Sequence, residues 1–128
     1  MADGSGRAGA GRKAAGRADE PPELRRLRRK IDALDRRVVR LLNERAELAR
    51  SVGRLKTASG HRAIRDPQRE REILLRVSMA NDGPTPQADL LAIYRRLFAV
   101  ARRLERSDRT RERRAEPFGG VPPAGDER

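Results

Sequence analysis

The chain reads as an all-α protein of three helices, one very long and two shorter. Three observations predict this. Apolar residues recur at steps of three and four from Leu24 to Leu55. Two cap-plus-proline signals, Asp66-Pro67 and Thr85-Pro86, each restart a helical pattern. No segment alternates apolar and polar residues in the manner of a strand.

The first helix starts near Pro21 and Pro22 and runs to about Thr57. Leu24, Leu27, Ile31, Leu34, Val38, Leu41, Leu48, Val52 and Leu55 form a heptad-like seam, interrupted only at position 45. Ser59-Gly60 ends it. A loop through His61 and Arg65 leads to Asp66, which suits an N-cap, with Pro67 at the first helical position. The second helix carries Ile73, Leu74 and Val77 on one face and ends around Asn81, Asp82 and Gly83. The third carries Leu90, Ile93, Tyr94, Leu97, Phe98, Val100, Ala101 and Leu104.

The helices fill a domain over 21–109. Residues 1–20 are rich in Gly, Ala and Arg without apolar periodicity, and 110–128 include Pro117, Gly119, Gly120, Pro122, Pro123 and Gly125. Both ends read as disordered tails. With 128 residues and 2% aromatics, a single copy buries little surface, which favours dimerisation. The chain has no cysteine, which excludes disulfides and thiolate metal sites. His61 is the single histidine, which argues against a His-based metal site or triad. No apolar run reaches the roughly 20 residues that span a bilayer. The N-terminus lacks the apolar core of a signal peptide, so the expected location is cytoplasmic.

The formal net charge is +12, most of it within 21–106, and only Lys13, Lys30 and Lys56 are lysines. A basic surface permits nucleic-acid binding. No stacking aromatics or DNA-binding motif accompany the charge, so nucleic acid is the lesser expectation.

Arg45 stands in the seam where Leu or Val belongs. Such an arginine either pairs with an acid and sets register, or serves a ligand. Lys56 follows 11 residues on, about 20° away in azimuth and about 16 Å along the axis. The two cations therefore share a face with Leu48, Val52 and Leu55, and together they suit a small anion in an apolar-walled pocket. Lys56 also has a plain reading, as the cation that complements a helix C-terminus. Glu105 continues the stripe of Tyr94, Phe98 and Ala101. It is either a solvated helix end or a buried acid, and burial would favour a protonated form able to donate a hydrogen bond. Glu70 shares a face with Ile73, Leu74 and Val77, and equally suits the first turn of its helix. Arg28 precedes Arg45 by 17 residues, about 25 Å along the axis and about 100° around it, so both can serve one site only from two chains. Arg25, Arg26, Arg29, Arg36, Arg37, Arg40, Arg50 and Arg54 lie off the seam and read as a solvated face.

These residues resemble a known family. LRRKIDALDRRVVRLLNERAELARSVGRLK (27–56) is similar to the first helix of the all-helical, type II chorismate mutases. IRDPQREREIL (64–74) resembles their loop into the second helix, and IYRRLFAVARRLE (93–105) their third. The resemblance implies an intertwined homodimer that rearranges chorismate, a small dianion, to prephenate in phenylalanine and tyrosine biosynthesis, with no metal and no cofactor. It implies that Arg45 and the partner chain's Arg28 hold carboxylates, and that Lys56 contacts a carboxylate and the ether oxygen. It further implies that the Asp66 backbone and Glu70 bind the ring hydroxyl, with Arg69 supporting the anionic end. Ala101 stands where a serine often contacts a carboxylate, and Glu105 where glutamine often donates to the ether oxygen. Glutamate can donate there only when protonated, which predicts an acid-shifted optimum. Isochorismate-pyruvate lyases and amino-deoxychorismate mutases resemble the same pattern, as alternatives; DPQRERE looks more like the ordinary mutase. A basic helical nucleic-acid-binding dimer is the non-enzymatic alternative. No dehydratase, dehydrogenase or regulatory segment is visible, and an activating shikimate-pathway enzyme stays open.

Overall fold

The computed structural model describes residues 19–115. Three α-helices follow in order: α1 over Pro22–Ala58, α2 over Pro67–Ala80 and α3 over Gln87–Ala115. The described residues contain no strand, and the fold is all-α as the periodicity predicts. No helix among them is long and apolar enough to cross a membrane. The third helix passes the expected boundary at 109 and continues through Ala115. Residues 110–115 are therefore helix rather than tail: they hold no glycine or proline, and Arg113 and Arg114 complement the dipole in the last turn. Of the expected tails, 1–18 and 116–128 lie outside the described residues.

The chain divides into two compact units, Met1–Leu42 and Asn43–Arg128. The described residues of the first are 19–42, which include the opening turns of α1. Arg25 N–H bonds Pro21 O at 3.1 Å, and its Nη1 reaches Glu20 O at 2.8 Å. Leu27, Ile31, Leu34, Val38 and Leu41 all stand exposed here. No described residue of this unit covers the stripe.

The second unit holds the end of α1 with α2 and α3. A three-part signal ends α1: Gly60 takes φ 85°, His61 N–H bonds Lys56 O at 2.8 Å, and Gly60 N–H bonds Thr57 O at 3.0 Å. This paired closure needs a left-handed residue, which glycine supplies without a Cβ clash. Asp66 caps α2 by accepting from Arg69 N–H at 3.1 Å, with Pro67 at its start. Between α2 and α3, Asn81 Nδ2 donates to Thr85 O at 3.0 Å and to Gln87 Oε1 at 2.8 Å. Gln87 Nε2 in turn donates to Ser78 O at 3.2 Å.

Burial is sparse. Phe98, 5% exposed, is the buried apolar side chain among the described residues, and its ring meets Tyr94 edge to face at 6.4 Å. Gly53 is buried where α3 comes close to α1. Leu48, Val52 and Leu55, the remainder of the seam, are 54–69% exposed. The register of α1 on α3 is fixed by charge: Arg50 grips Asp108 with two hydrogen bonds, Nε to Oδ2 and Nη2 to Oδ1, both 2.9 Å. Arg50, which the seam pattern assigns to a solvated face, is instead held at an inter-helix contact. The Arg50 hydrogen bonds hold Asp108 below the usual carboxylate range, and Asp108 raises Arg50 in return.

Candidate active site

Two cationic groups and an acid from the expected set lie in the second unit with contacts that α1 and α3 dictate. Arg45 projects from α1 toward α3, its guanidinium 5.6 Å from the Tyr94 ring centre and 5.8 Å from that of Phe98. This stacking accounts for a cation in an apolar seam, since ring faces attract it. Lys56 lies in the last turn of α1, and the turn at Gly60 returns the chain so that Ile64 O lies 3.5 Å from Nζ. Nζ also lies 3.7 Å from Glu105 Oε2. Arg45 and Lys56, which share a face of α1, thus have different partners within the chain.

Glu105 is not a frayed end. It lies well inside α3, its side chain only 12% exposed. Its Oε2 accepts from Arg109 Nη2 at 2.9 Å, while its Cγ and Cδ lie against Gly53. Arg109, one turn on, has no role in the sequence reading, which ends the helix at that position. The i,i+4 spacing from Glu105 is the signal that could have found it. A second unread arginine, Arg102, donates from Nη1 to Glu70 Oε2 at 2.5 Å, and Arg65 Nε lies 3.9 Å from Glu70 Oε1. A cleft of about 220 Å³ opens beside this group, lined in part by Arg65, Glu70, Arg95, Phe98 and Arg102.

The other expected residues have plainer settings. Asp66 serves the helix cap, and its carbonyl accepts from Glu70 N–H at 3.0 Å. The Arg69 side chain, half exposed, reaches Glu72 at 3.5 Å. Ala101 is half-buried and offers only a methyl group. Arg28 belongs to the first unit, where Nε meets Glu20 Oε2 at 3.1 Å.

One arginine stacked on an aromatic pair, a lysine beside a largely buried acid, and a second acid held by an arginine stand together in an all-helical domain. The family model described as "Chorismate mutase type II" matches residues 27–106, and the chain belongs to that family. The chain is 40% identical over 88 residues to the bifunctional chorismate mutase/prephenate dehydratase of Aquifex aeolicus, covering 66% of this chain and 24% of that protein. It is 53% identical over 51 residues to the protein of the same description from Escherichia coli, covering 40% of this chain and 13% of that one. The chain thus spans about a quarter or less of the length of these curated relatives. Among solved structures, the chorismate mutase (Form II) from Thermus thermophilus superposes with TM-score 0.61 at 34% identity, covering 66% of this chain and 94% of that one.

Proposed function

We propose that this chain is a chorismate mutase, rearranging chorismate to prephenate as a cytoplasmic homodimer. The observation that carries the reading is the meeting of Lys56 with Glu105 at the end of α1, in the unit that also stacks Arg45 on Tyr94 and Phe98. The reaction is unimolecular, so catalysis consists of gripping two carboxylates, holding the compact conformer and stabilising charge that develops on the ether oxygen. In this reading Arg45 and Arg28 of the partner subunit take the carboxylates. Lys56 takes a carboxylate and the ether oxygen, and Glu105 completes that end. Asp66, Arg69 and Glu70 serve the ring hydroxyl and the anionic end, with Ala101 as an apolar wall.

The exposed seam supports the dimer. Burying one Leu or Val side chain contributes roughly 1.5–3 kcal/mol, and the seam offers a row of them from Leu27 to Leu55. The test is loss of chorismate absorbance with purified protein, with prephenate identified by chromatography. Unchanged chorismate in the presence of folded protein overturns the proposal. Turnover of isochorismate or amino-deoxychorismate in its place would assign the sister activity.

A further inference from the structure

Glu70 stands in the first turn of α2, a helix with no buried residue. Its side chain is nevertheless only 18% exposed, because Arg102 reaches it from α3 and donates from Nη1 to Oε2. The two carboxylate oxygens differ as a result. Oε2 is committed to a charge-assisted hydrogen bond. Among the described residues Oε1 has no hydrogen-bond donor, and Arg65 Nε lies 3.9 Å from it. A carboxylate oxygen in that position can accept from the hydroxyl of a ligand.

The same acid lines a cleft of about 220 Å³ with Arg65, Arg71, Arg95 and Arg102. One carboxylate among these guanidiniums leaves the cleft with a surplus of positive charge. Phe98 also lines it, and the Phe98 ring centre lies 5.8 Å from the Arg45 guanidinium. The cleft therefore adjoins the arginine proposed to hold a substrate carboxylate.

From this geometry we infer that Arg102 is a positioning and specificity-determining residue. It aims Glu70 at a neutral hydroxyl on the substrate ring and, with the other arginines of the cleft, turns away a cationic amine at the same ring position. The inference deepens the chorismate mutase reading, which supplies the contact between Glu70 and the hydroxyl, and rests on it. A lone carboxylate favours an ammonium group over a hydroxyl, since opposite charges attract. A carboxylate whose other oxygen is already paired with a guanidinium has lost much of that preference. An ammonium group brought to Oε1 would also meet Arg65 and Arg102 as like charges, a repulsion that selects against it. A hydroxyl meets no such repulsion. Arg102 thus bears on the choice between chorismate and amino-deoxychorismate, whose amine is protonated at neutral pH.

The test measures kcat/KM for chorismate and for amino-deoxychorismate, and the ratio of the two, with the full chain. The parent is compared with Arg102→Ala, Arg102→Lys and Glu70→Gln, each checked for helicity by circular dichroism. The parent should prefer chorismate. Arg102→Ala should lower kcat/KM for chorismate about tenfold, as displacement of a positioned group does. It should also move the ratio about tenfold or more towards the amine. Arg102→Lys, which keeps the cation, should hold the parental preference. With Glu70→Gln in place, adding Arg102→Ala should change the ratio by no more than about twofold, because the two residues act as a pair. Arg102→Met keeps the side-chain stem without its charge, and it stands in for the alanine variant if that chain does not fold. A clamp between α2 and α3 with no other role would slow both substrates alike. An unchanged ratio in a folded Arg102→Ala or Arg102→Met chain therefore overturns the inference while leaving the mutase reading in place. A parent that prefers the amine overturns it too. A folded parent that converts neither substrate overturns the mutase reading and this inference with it.

Discussion

Gly53 and Glu105 pack so closely that a Cβ built on the glycine would lie 3.0 Å from Glu105 Cγ and 3.1 Å from Cδ. Glu105 has little freedom to retreat, because Arg109 holds its carboxylate at 2.9 Å. The absence of a side chain at one residue of α1 therefore helps set the position of an acid on α3.

Gly53→Ala should separate stability from activity. Alanine favours the helix by about 1 kcal/mol over glycine, which offsets the strain of pushing Glu105 aside. Thermal melting should shift by only a few degrees, while kcat should fall by about tenfold, since a displacement of some tenths of an ångström disturbs a positioned group. A melting temperature unchanged with full activity would show that Glu105 yields freely.

The Arg50–Asp108 grip should make stability depend on acid. Asp108 is held below its ordinary range by the Arg50 hydrogen bonds, so the unfolded chain takes up its proton more readily than the folded one. The contribution is fully present above the unfolded carboxylate value of about 3.9 and is lost as pH falls through the lower folded value. Asp108→Asn should therefore be less stable than the parent at neutral pH, and the difference should shrink as pH falls through the lowered folded value of Asp108. Urea unfolding of both proteins across that range measures it.

Arg45→Ala should reduce kcat/KM by about 100-fold or more, as expected for a charged substrate contact, with the far-ultraviolet spectrum unchanged. Arg45→Lys should recover little, because an ammonium neither stacks on Tyr94 and Phe98 as a planar group nor offers a two-pronged fork. Steady-state kinetics of the two variants decide it.

Mixing Arg28→Ala chains with Arg45→Ala chains should restore activity in the proposed dimer. A mixed dimer has one site with both arginines and one with neither, so about a quarter of parental activity should return once the chains exchange at random. Exchange demonstrated by mass spectrometry without recovered activity would separate Arg28 from the site.

Much of this molecule is legible in the sequence for local reasons. Pro67 and Asp66, Pro86, and Gly60 mark helix ends through backbone chemistry that acts over a few residues. Arg45 is visible because it interrupts a periodic stripe. What escapes depends on distant pairing. Arg50 meets Asp108 across 58 residues, and nothing distinguishes Arg50 on a helical wheel from Arg54 or Arg40. Arg102 can be linked to Glu70 only once α2 and α3 have been brought together. Arg109 escapes differently: its spacing from Glu105 is local, but the charged run TRERRA that follows looks like tail and hides the continuing helix.

With Phe98 the buried apolar side chain of the described residues, a solitary copy has little to keep its helices in place. In the proposed dimer, folding and pairing would be one event rather than two, and the protein's durability would be a property of how much of it is present. If the proposed dimer forms, dilution alone should lower its melting temperature and bleed away the proposed activity over time. A cell making only a trace of this protein would have less active catalyst than the number of chains suggests.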